Sequence, residues 1–144
     1  MSTKILLDEY PTPEDLQAVL DNIRQFNLDM SGYGRPRSIA SYLRDEDGRI
    51  LGCVKGELWG QSVHIGAVWV ADSHRGKGYG SDLMRELENY AASRGHLLAY
   101  VETTSFQARP FYEKLGYSVF GELAGIADGH TLFFLRKDLR APGS

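Results

Sequence analysis

Residues 74–82 read HRGKGYGSD, with a glycine at every second position, Gly76, Gly78 and Gly80, behind Arg75 and around Lys77. Glycines let a backbone approach a ligand closely and take positive φ, so with two cations beside them they could cradle an anion such as phosphate. The stretch lies between a strand-like run, AVWVAD, and a run in which Leu83, Met84, Leu87, Tyr90 and Ala91 form one helical apolar face. A strand-to-helix turn aims several backbone N–H groups at one spot, and the helix dipole adds positive potential there. Two familiar cradles fail to match. A P-loop needs Ser or Thr directly after its Gly-Lys, whereas Gly78 follows Lys77. A dinucleotide fingerprint spaces its glycines G-x-G-x-x-G, and these run G-x-G-x-G. The glycines alone leave a phosphate cradle and a plain flexible turn equally open.

Other reactive side chains are sparse. Cys53 is the single cysteine, so no intrachain disulfide can form, which suits a reducing cytoplasm. It sits in the apolar run ILGCVKGELW with no histidine beside it, and reads as a buried, inert thiol rather than an acyl carrier. His64, His74, His96 and His130 have no metal-ligand spacing, so no metal is expected. The 144 residues carry a formal net charge of -3, which argues against a general affinity for nucleic acid or anionic lipid. The first residues, MSTKILLDEY, lack the apolar core of a signal peptide, and no run approaches transmembrane length.

The elements that must position the turn can be read in order. KILLDE (4–9) is a short apolar run able to open a sheet. TPEDLQAVLDNIRQF has Leu16, Val19, Leu20, Ile23 and Phe26 at helical spacing, with Thr12 as N-cap and Pro13 at the first helical position. Residues 27–37 read as a loop by composition. Two strands joined by a turn at Asp47-Gly48 follow, then the strand SVHIGAVWVAD, on which His64 shares its parity with Gly66, Val68 and Val70. The helix after the glycines ends at Gly95, and HLLAYVET returns as a strand. A short helix holds Phe111, Tyr112 and Leu115 between Pro110 and Gly116, and GYSVFGEL and HTLFFLRKDL close the chain as strands. The result is a single mixed α/β domain over 1–144, with hairpins before and after a central β-α-β unit.

Two segments of this pattern resemble one family. VWVADSHRGKGYGSDLM resembles the pyrophosphate-binding motif of the GCN5-related N-acetyltransferases (GNAT), whose core is Arg/Gln-x-x-Gly-x-Gly/Ala; Arg75, Gly78 and Gly80 match it position for position. SFQARPFYEKLGY resembles the family's second hallmark, Asn-x-x-Ala-x-x-Phe-Tyr-x-Lys-x-Gly-Phe, through Ala108, Phe111, Tyr112, Lys114, Gly116 and Tyr117. Ser105 departs from it by standing where many members have Asn. The resemblance implies an α/β (α+β) fold with a mostly antiparallel sheet of about six to seven strands flanked by helices, its central strands splayed. It implies acetyl-CoA as co-substrate and no metal. The pyrophosphate would sit on backbone N–H groups of Arg75, Gly76, Lys77, Gly78, Tyr79 and Gly80, with the Arg75 and Lys77 side chains adding charge and Ser81 also binding the cofactor. The pantetheine arm would lie along Val68 and Val70, with Ser105 and Ala108 also near the cofactor.

The same resemblance assigns the acid that protonates the leaving thiolate to Tyr112; a core aromatic beside Phe111 and Leu115 is the plainer reading of that ring, and the whole motif favours the acid. For the base, Glu102 at the end of the strand facing the splay is the candidate, with His64 and Asp72 as alternatives; each also has an ordinary structural reading, and water alone could serve as relay. The acceptor pocket would be lined by QFNLDMSGYGRPR, carrying Tyr33, Arg35 and Arg37, and by GELAGIADGHT, carrying Glu122 and Asp128. The implied activity is acetyl transfer to a primary amine of a small molecule by direct attack in a ternary complex. A protein amine as acceptor, and an acyl-CoA-binding module without turnover, stand as the other readings. The expected setting is cytoplasmic, with no nucleic acid or membrane partner and with a homodimer left open.

Overall fold

The computed structural model describes residues 2–104 and 108–139. The chain divides into two compact units, residues 1–35 and 36–144.

The first unit is built on helix α1, Pro13–Ser31. Thr12 caps it: the Oγ1 accepts from the backbone N–H of Asp15 at 3.1 Å, and Pro13 occupies the first helical position, where no N–H is needed. The helix runs further than composition suggests. Gly32 stops it at φ 78°, donating its N–H to the Leu28 carbonyl at 2.8 Å, and Gln25 bonds Asp29 one turn along, so NLDMS joins the helix instead of the loop. KILLDE forms no strand: Ile5, Leu6 and Leu7 are exposed, with no ladder to satisfy their backbone.

The second unit holds six strands: β1 (Arg37–Arg44), β2 (Ile50–Trp59), β3 (Ser62–Val70), β4 (Leu98–Thr104), β5 (Ser118–Ala127) and β6 (His130–Asp138). Their order is β1-β2-β3-β4-β6-β5. Every neighbouring pair is antiparallel except β3 and β4, which are parallel and joined by helix α2 (Tyr79–Ser93). A parallel pair requires such a crossover, whereas the hairpins β1–β2 and β5–β6 need only turns. β5 continues through Ala127, so GELAGIADGHT is mostly paired strand. Helix α3 (Arg109–Lys114) leads from β4 towards β5.

The core lies between one face of the sheet and α2 and α3. Val54, Val63, Ile65, Met84 and Leu135 are essentially inaccessible, and Leu83, Leu87 and Ala91 carry the helical face that packs on them. Within it sits a polar knot. Glu88 of α2, 5% exposed, accepts from the Tyr117 hydroxyl at 2.7 Å and from Lys137 Nζ at 2.7 Å. A buried carboxylate persists only when such donors meet it.

Two irregularities of β3 shape everything that follows. Its pairing with β4 covers only Ser62↔Leu98 to Ile65↔Val101, and beyond that point the two strands part. Its register with β2 slips at Gly66, since Lys55 faces Ala67 while Gly56 faces Ile65. An extra residue in one strand reverses the alternation of sides beyond it. Val68 and Val70 therefore pack towards the core, while Trp69, 48% exposed, points to the opposite face together with His64. The simple parity that groups His64 with Val68 and Val70 is broken by this bulge.

Candidate active site

Where β3 and β4 part, a cleft of about 1030 Å³ opens. Its wall on one side is β3 from Ile65 to Val70, and on the other Val101, Glu102 and Thr103 of β4; the glycine turn and α3 close its ends. Of the residues singled out from sequence, Val68, Val70, Arg75, Gly76, Gly78, Tyr79, Gly80, Ser81, Ala108, Glu102 and Tyr112 all line it. Lys77 does not, and Ser105 lies outside the described residues. Gly66, Trp69, His74 and Phe111 also line the cleft and were not singled out for it. The bulge that orients Trp69 leaves no mark in residue periodicity beyond the glycine itself.

Three kinds of free backbone group face this space. Gly78 is the N-cap of α2 and no side chain caps the helix. The N–H groups of Tyr79, Gly80 and Ser81 accordingly make no hydrogen bond among the described residues, and the first helical bond is Asp82 N–H to the Gly78 carbonyl at 3.1 Å. Just past β3, Ala71 donates its N–H to the Leu51 carbonyl of β2 at 2.7 Å. Backbone direction alternates along an antiparallel strand, so Val70 and Val68 turn their N–H and C=O groups the other way, into the splay. An extended chain laid there would find a strand edge to pair with.

The three glycines divide their work. Gly76 and Gly78 take φ of 75° and 86°, and a β-carbon added at either would have nothing within 4 Å, so they serve conformation and leave the turn's surface open. Gly80 has an ordinary φ, and a β-carbon there would meet the Phe111 ring at 3.2 and 3.3 Å, so it serves the packing of α3 against the start of α2. Arg75 is engaged rather than free: its Nε donates to the Val70 carbonyl at 2.8 Å and its Nη1 pairs with Asp72 at 2.7 Å. It braces the turn from below and takes one strand-edge carbonyl for itself. Asp72 is thereby accounted for as the partner of that brace.

Tyr112 is 8% exposed, with its ring edge-on to Phe111 at 5.2 Å and to Tyr117 at 5.9 Å between centroids. Its hydroxyl has no hydrogen-bond partner among the described residues, and burial pushes its pKa above the ordinary phenol value. A phenol so placed holds its proton at neutral pH. Glu102, the first β4 residue past the paired stretch, accepts from His64 Nε2 at 2.7 Å, and both side chains are about one-third exposed. Burial, and then the nearby Glu102 carboxylate, raise the Tyr100 pKa. Cys53 is half-buried and lies outside the cleft; burial raises its thiol against the lowering pull of Arg44 and Lys55. Arg37 bonds the Tyr90 hydroxyl at 2.6 Å, and Glu122 stands within β5 opposite Phe133. Among the described residues no cluster of His, Cys, Asp or Glu is placed to hold a metal, and no helix is long and apolar enough to cross a membrane.

This splayed sheet, with an uncapped helix N-terminus at its mouth, is shared with solved acetyltransferases. A crystal structure of an acetyltransferase from Bacillus cereus superposes with a TM-score of 0.80 at 29% identity, covering 92% of this chain and 97% of that one. The model of the Acetyltransferase (GNAT) family matches residues 3–117, and the chain belongs to that family. Among curated relatives, an acetyltransferase of Agrobacterium fabrum is 25% identical over 132 residues, 92% of this chain and 96% of that protein. Blasticidin-S acetyltransferase of Streptomyces morookaense is 34% identical over 107 residues, 73% of this chain and 79% of that protein. The chain is a GNAT acetyltransferase, and the acetyl donor of that family is acetyl-CoA.

Proposed function

We propose that this enzyme moves the acetyl group of acetyl-CoA to a primary amine of a small molecule, by direct attack while both are bound. One observation carries the reading: a single cleft joins the uncapped N-terminus of α2, the open edge of Val68 and Val70, the buried phenol of Tyr112 and the carboxylate of Glu102. The residues fit the donor. The N–H groups of residues 76–81 supply the anion contacts, with Lys77 adding charge from outside the cleft wall and Arg75 bracing the turn. The edge of β3 takes the extended arm, and Ala108 closes the cleft beside α3. When bound, acetyl-CoA supplies the activated thioester.

The chain's own groups do the rest. An alkylamine is mostly protonated near neutral pH, so a base must take its proton first. Glu102 at the lip of the cleft receives it, directly or through one water. A backbone N–H of the splayed part of β3 would donate to the thioester oxygen as negative charge develops on it. As the carbon–sulfur bond breaks, Tyr112 would donate its hydroxyl proton to the departing sulfur, and the second proton lost by the nitrogen as the amide forms would return to the phenolate or leave to water. Cys53, a raised thiol outside the cleft, gives no acyl-enzyme route. The acceptor class is supported by the relative named for blasticidin-S and by another, 35% identical over 79 residues, named for streptothricin, both small molecules. The test is a panel of small polar amines and lysine peptides with acetyl-CoA, read by thiol release. Turnover with a small amine and intersecting initial-rate lines are expected. Turnover with peptides alone, or tight acetyl-CoA binding with no turnover, would overturn the reading.

A further inference from the structure

The contact between His64 and Glu102 is made where the sheet opens. His64 faces Tyr100 in the last paired stretch of β3 and β4, and Glu102 is two residues beyond Tyr100 on β4. The bulge at Gly66 sends the later β3 side chains to other sides, but His64 precedes it and stays on the face that carries Glu102. Their side chains meet on the diagonal, Nε2 to Oε2 at 2.7 Å. An ionised carboxylate can only accept, so Nε2 carries the hydrogen. The imidazole is itself held flat, stacked on the Tyr100 ring at 4.7 Å between centroids and 30° between planes.

The rest of the neighbourhood is occupied elsewhere. Glu57, across β2 from His64, is bound to Ser38 at 3.1 Å and to Lys55 at 3.6 Å. Arg136, across β6 from Tyr100, pairs with Asp138 at 3.6 Å. Phe134 stands opposite Glu102 and offers no hydrogen bond. Among the described residues His64 is thus the one donor to the Glu102 carboxylate, and it reaches Oε2 and leaves Oε1 without a protein partner. Glu102 lines the cleft, whereas His64 stands behind it.

We propose that His64 is a positioning residue of the transfer reaction: its Nε2–H, fixed by stacking on Tyr100, pins one oxygen of Glu102 and aims the other at the acceptor amine. This rests on the reading of Glu102 as the base. An untethered, part-exposed glutamate side chain on a strand samples several rotamers, and only some bring an oxygen to the amine. Holding one rotamer raises the fraction of bound complexes ready to lose the proton, which acts on kcat and leaves acetyl-CoA binding untouched.

The experiment compares His64→Ala, His64→Gln, His64→Phe, Glu102→Gln and the double variant His64→Ala/Glu102→Gln, measuring kcat and KM for a responsive amine and Kd for acetyl-CoA. Glu102→Gln is expected to cost about 10²-fold or more in kcat. His64→Ala is expected to cost about 10-fold to 100-fold, the scale of a misplaced catalytic group. The Kd for acetyl-CoA should stay within about twofold, a loss of under one RT. His64→Gln, whose amide N–H can reach the same oxygen, should recover much of the rate, while His64→Phe, which keeps a ring on Tyr100 and removes the donor, should not. The double variant should be no slower than Glu102→Gln, because residues acting through one group are not additive. Full kcat in His64→Phe, or costs that multiply in the double variant, overturns the positioning role. Full kcat in Glu102→Gln overturns the base itself and the inference with it, so the two failures are told apart. Should His64→Ala not fold, the contrast of Gln with Phe decides the matter alone.

Discussion

Replacing Tyr112 by Phe removes one oxygen from a side chain that is 8% exposed. The structure separates two consequences cleanly. The hydroxyl makes no hydrogen bond among the described residues, so its loss orphans no partner, and the edge-on contacts to Phe111 and Tyr117 belong to the ring, which stays. Stability should change by no more than about 1 kcal/mol, the net scale of a single hydrogen bond. Turnover is different. A positioned general acid contributes about 10²–10⁴-fold, or roughly 3–5 kcal/mol of barrier at 1.36 kcal/mol per tenfold. A thiol near pKa 8.5 already yields a fair leaving group, which favours the lower end, about 10²-fold. Burial raises the Tyr112 pKa, so the donor form persists past the ordinary phenol value of about 10 and the acid contributes no alkaline fall in rate below it. The assay is kcat with a responsive amine beside Kd for acetyl-CoA and a thermal melt. A fall in kcat with unchanged Kd and melting temperature is the expected result. A Phe variant with full kcat refutes the acid role, and one that loses Kd, stability and rate together makes the hydroxyl structural.

Three further outcomes follow from the framework around the site. Gly78→Ala forces an L side chain to φ 86° in open space, so it should cost roughly 1–2 kcal/mol in urea unfolding and weaken coenzyme A in calorimetry; unchanged affinity would detach the turn from the anion. Lys137→Met strips the Glu88 carboxylate, 5% exposed, of its counter-charge, and about 3–5 kcal/mol of stability should go with it; a loss below about 1 kcal/mol would show the carboxylate content with Tyr117 alone. Stability should be full below about pH 10 and fall as pH rises past it. The reason is that burial, then the Glu88 charge and the bond to Glu88, hold the Tyr117 proton in the fold while the unfolded chain releases it. Tyr117→Phe should flatten that alkaline decline in urea midpoints, and an equally steep decline would place its origin elsewhere.

Much of the fold was legible because it rests on local chemistry. Thr12 with Pro13 announces α1, and the apolar spacing from Leu83 to Ala91 announces α2, since capping and periodicity are written in neighbouring residues. The end of α1 is hidden because Gln25 and Asp29 support the last turns through side chains that composition counts as loop formers. KILLDE resembles a strand because an apolar run carries no record of whether a partner strand awaits it. At the site, motif spacing picks out the glycine turn and Tyr112, but neither the brace of Arg75 to Asp72 and Val70 nor the pair of His64 and Glu102 can be read there. The first depends on how the turn coils back, and the second joins residues 38 positions apart through a parallel register.

The extra residue at Gly66 gives β3 two identities along one strand of nine residues. Before it, the strand follows one alternation of sides; after it, the opposite one. Insertions and deletions should therefore be tolerated very unevenly in this part of the sheet. Removing a residue from the turn between Arg44 and Ile50 would shorten a surface loop. Removing Gly66 would take out the one unpaired residue and leave a regular ladder, with Lys55 still facing Ala67 and Gly56 still facing Ile65, so Val68 and Val70 would keep the core side and Trp69 the opposite one, whereas adding a residue beyond it would turn the later side chains over. The deletion would leave the edge paired with β2 and the edge open to the cleft where they are, and would remove only the local kink and added twist. In chains related to this one, a β3 shorter by one residue at this point should thus keep the same side chains on the core and lose only the kink, while a longer one should not.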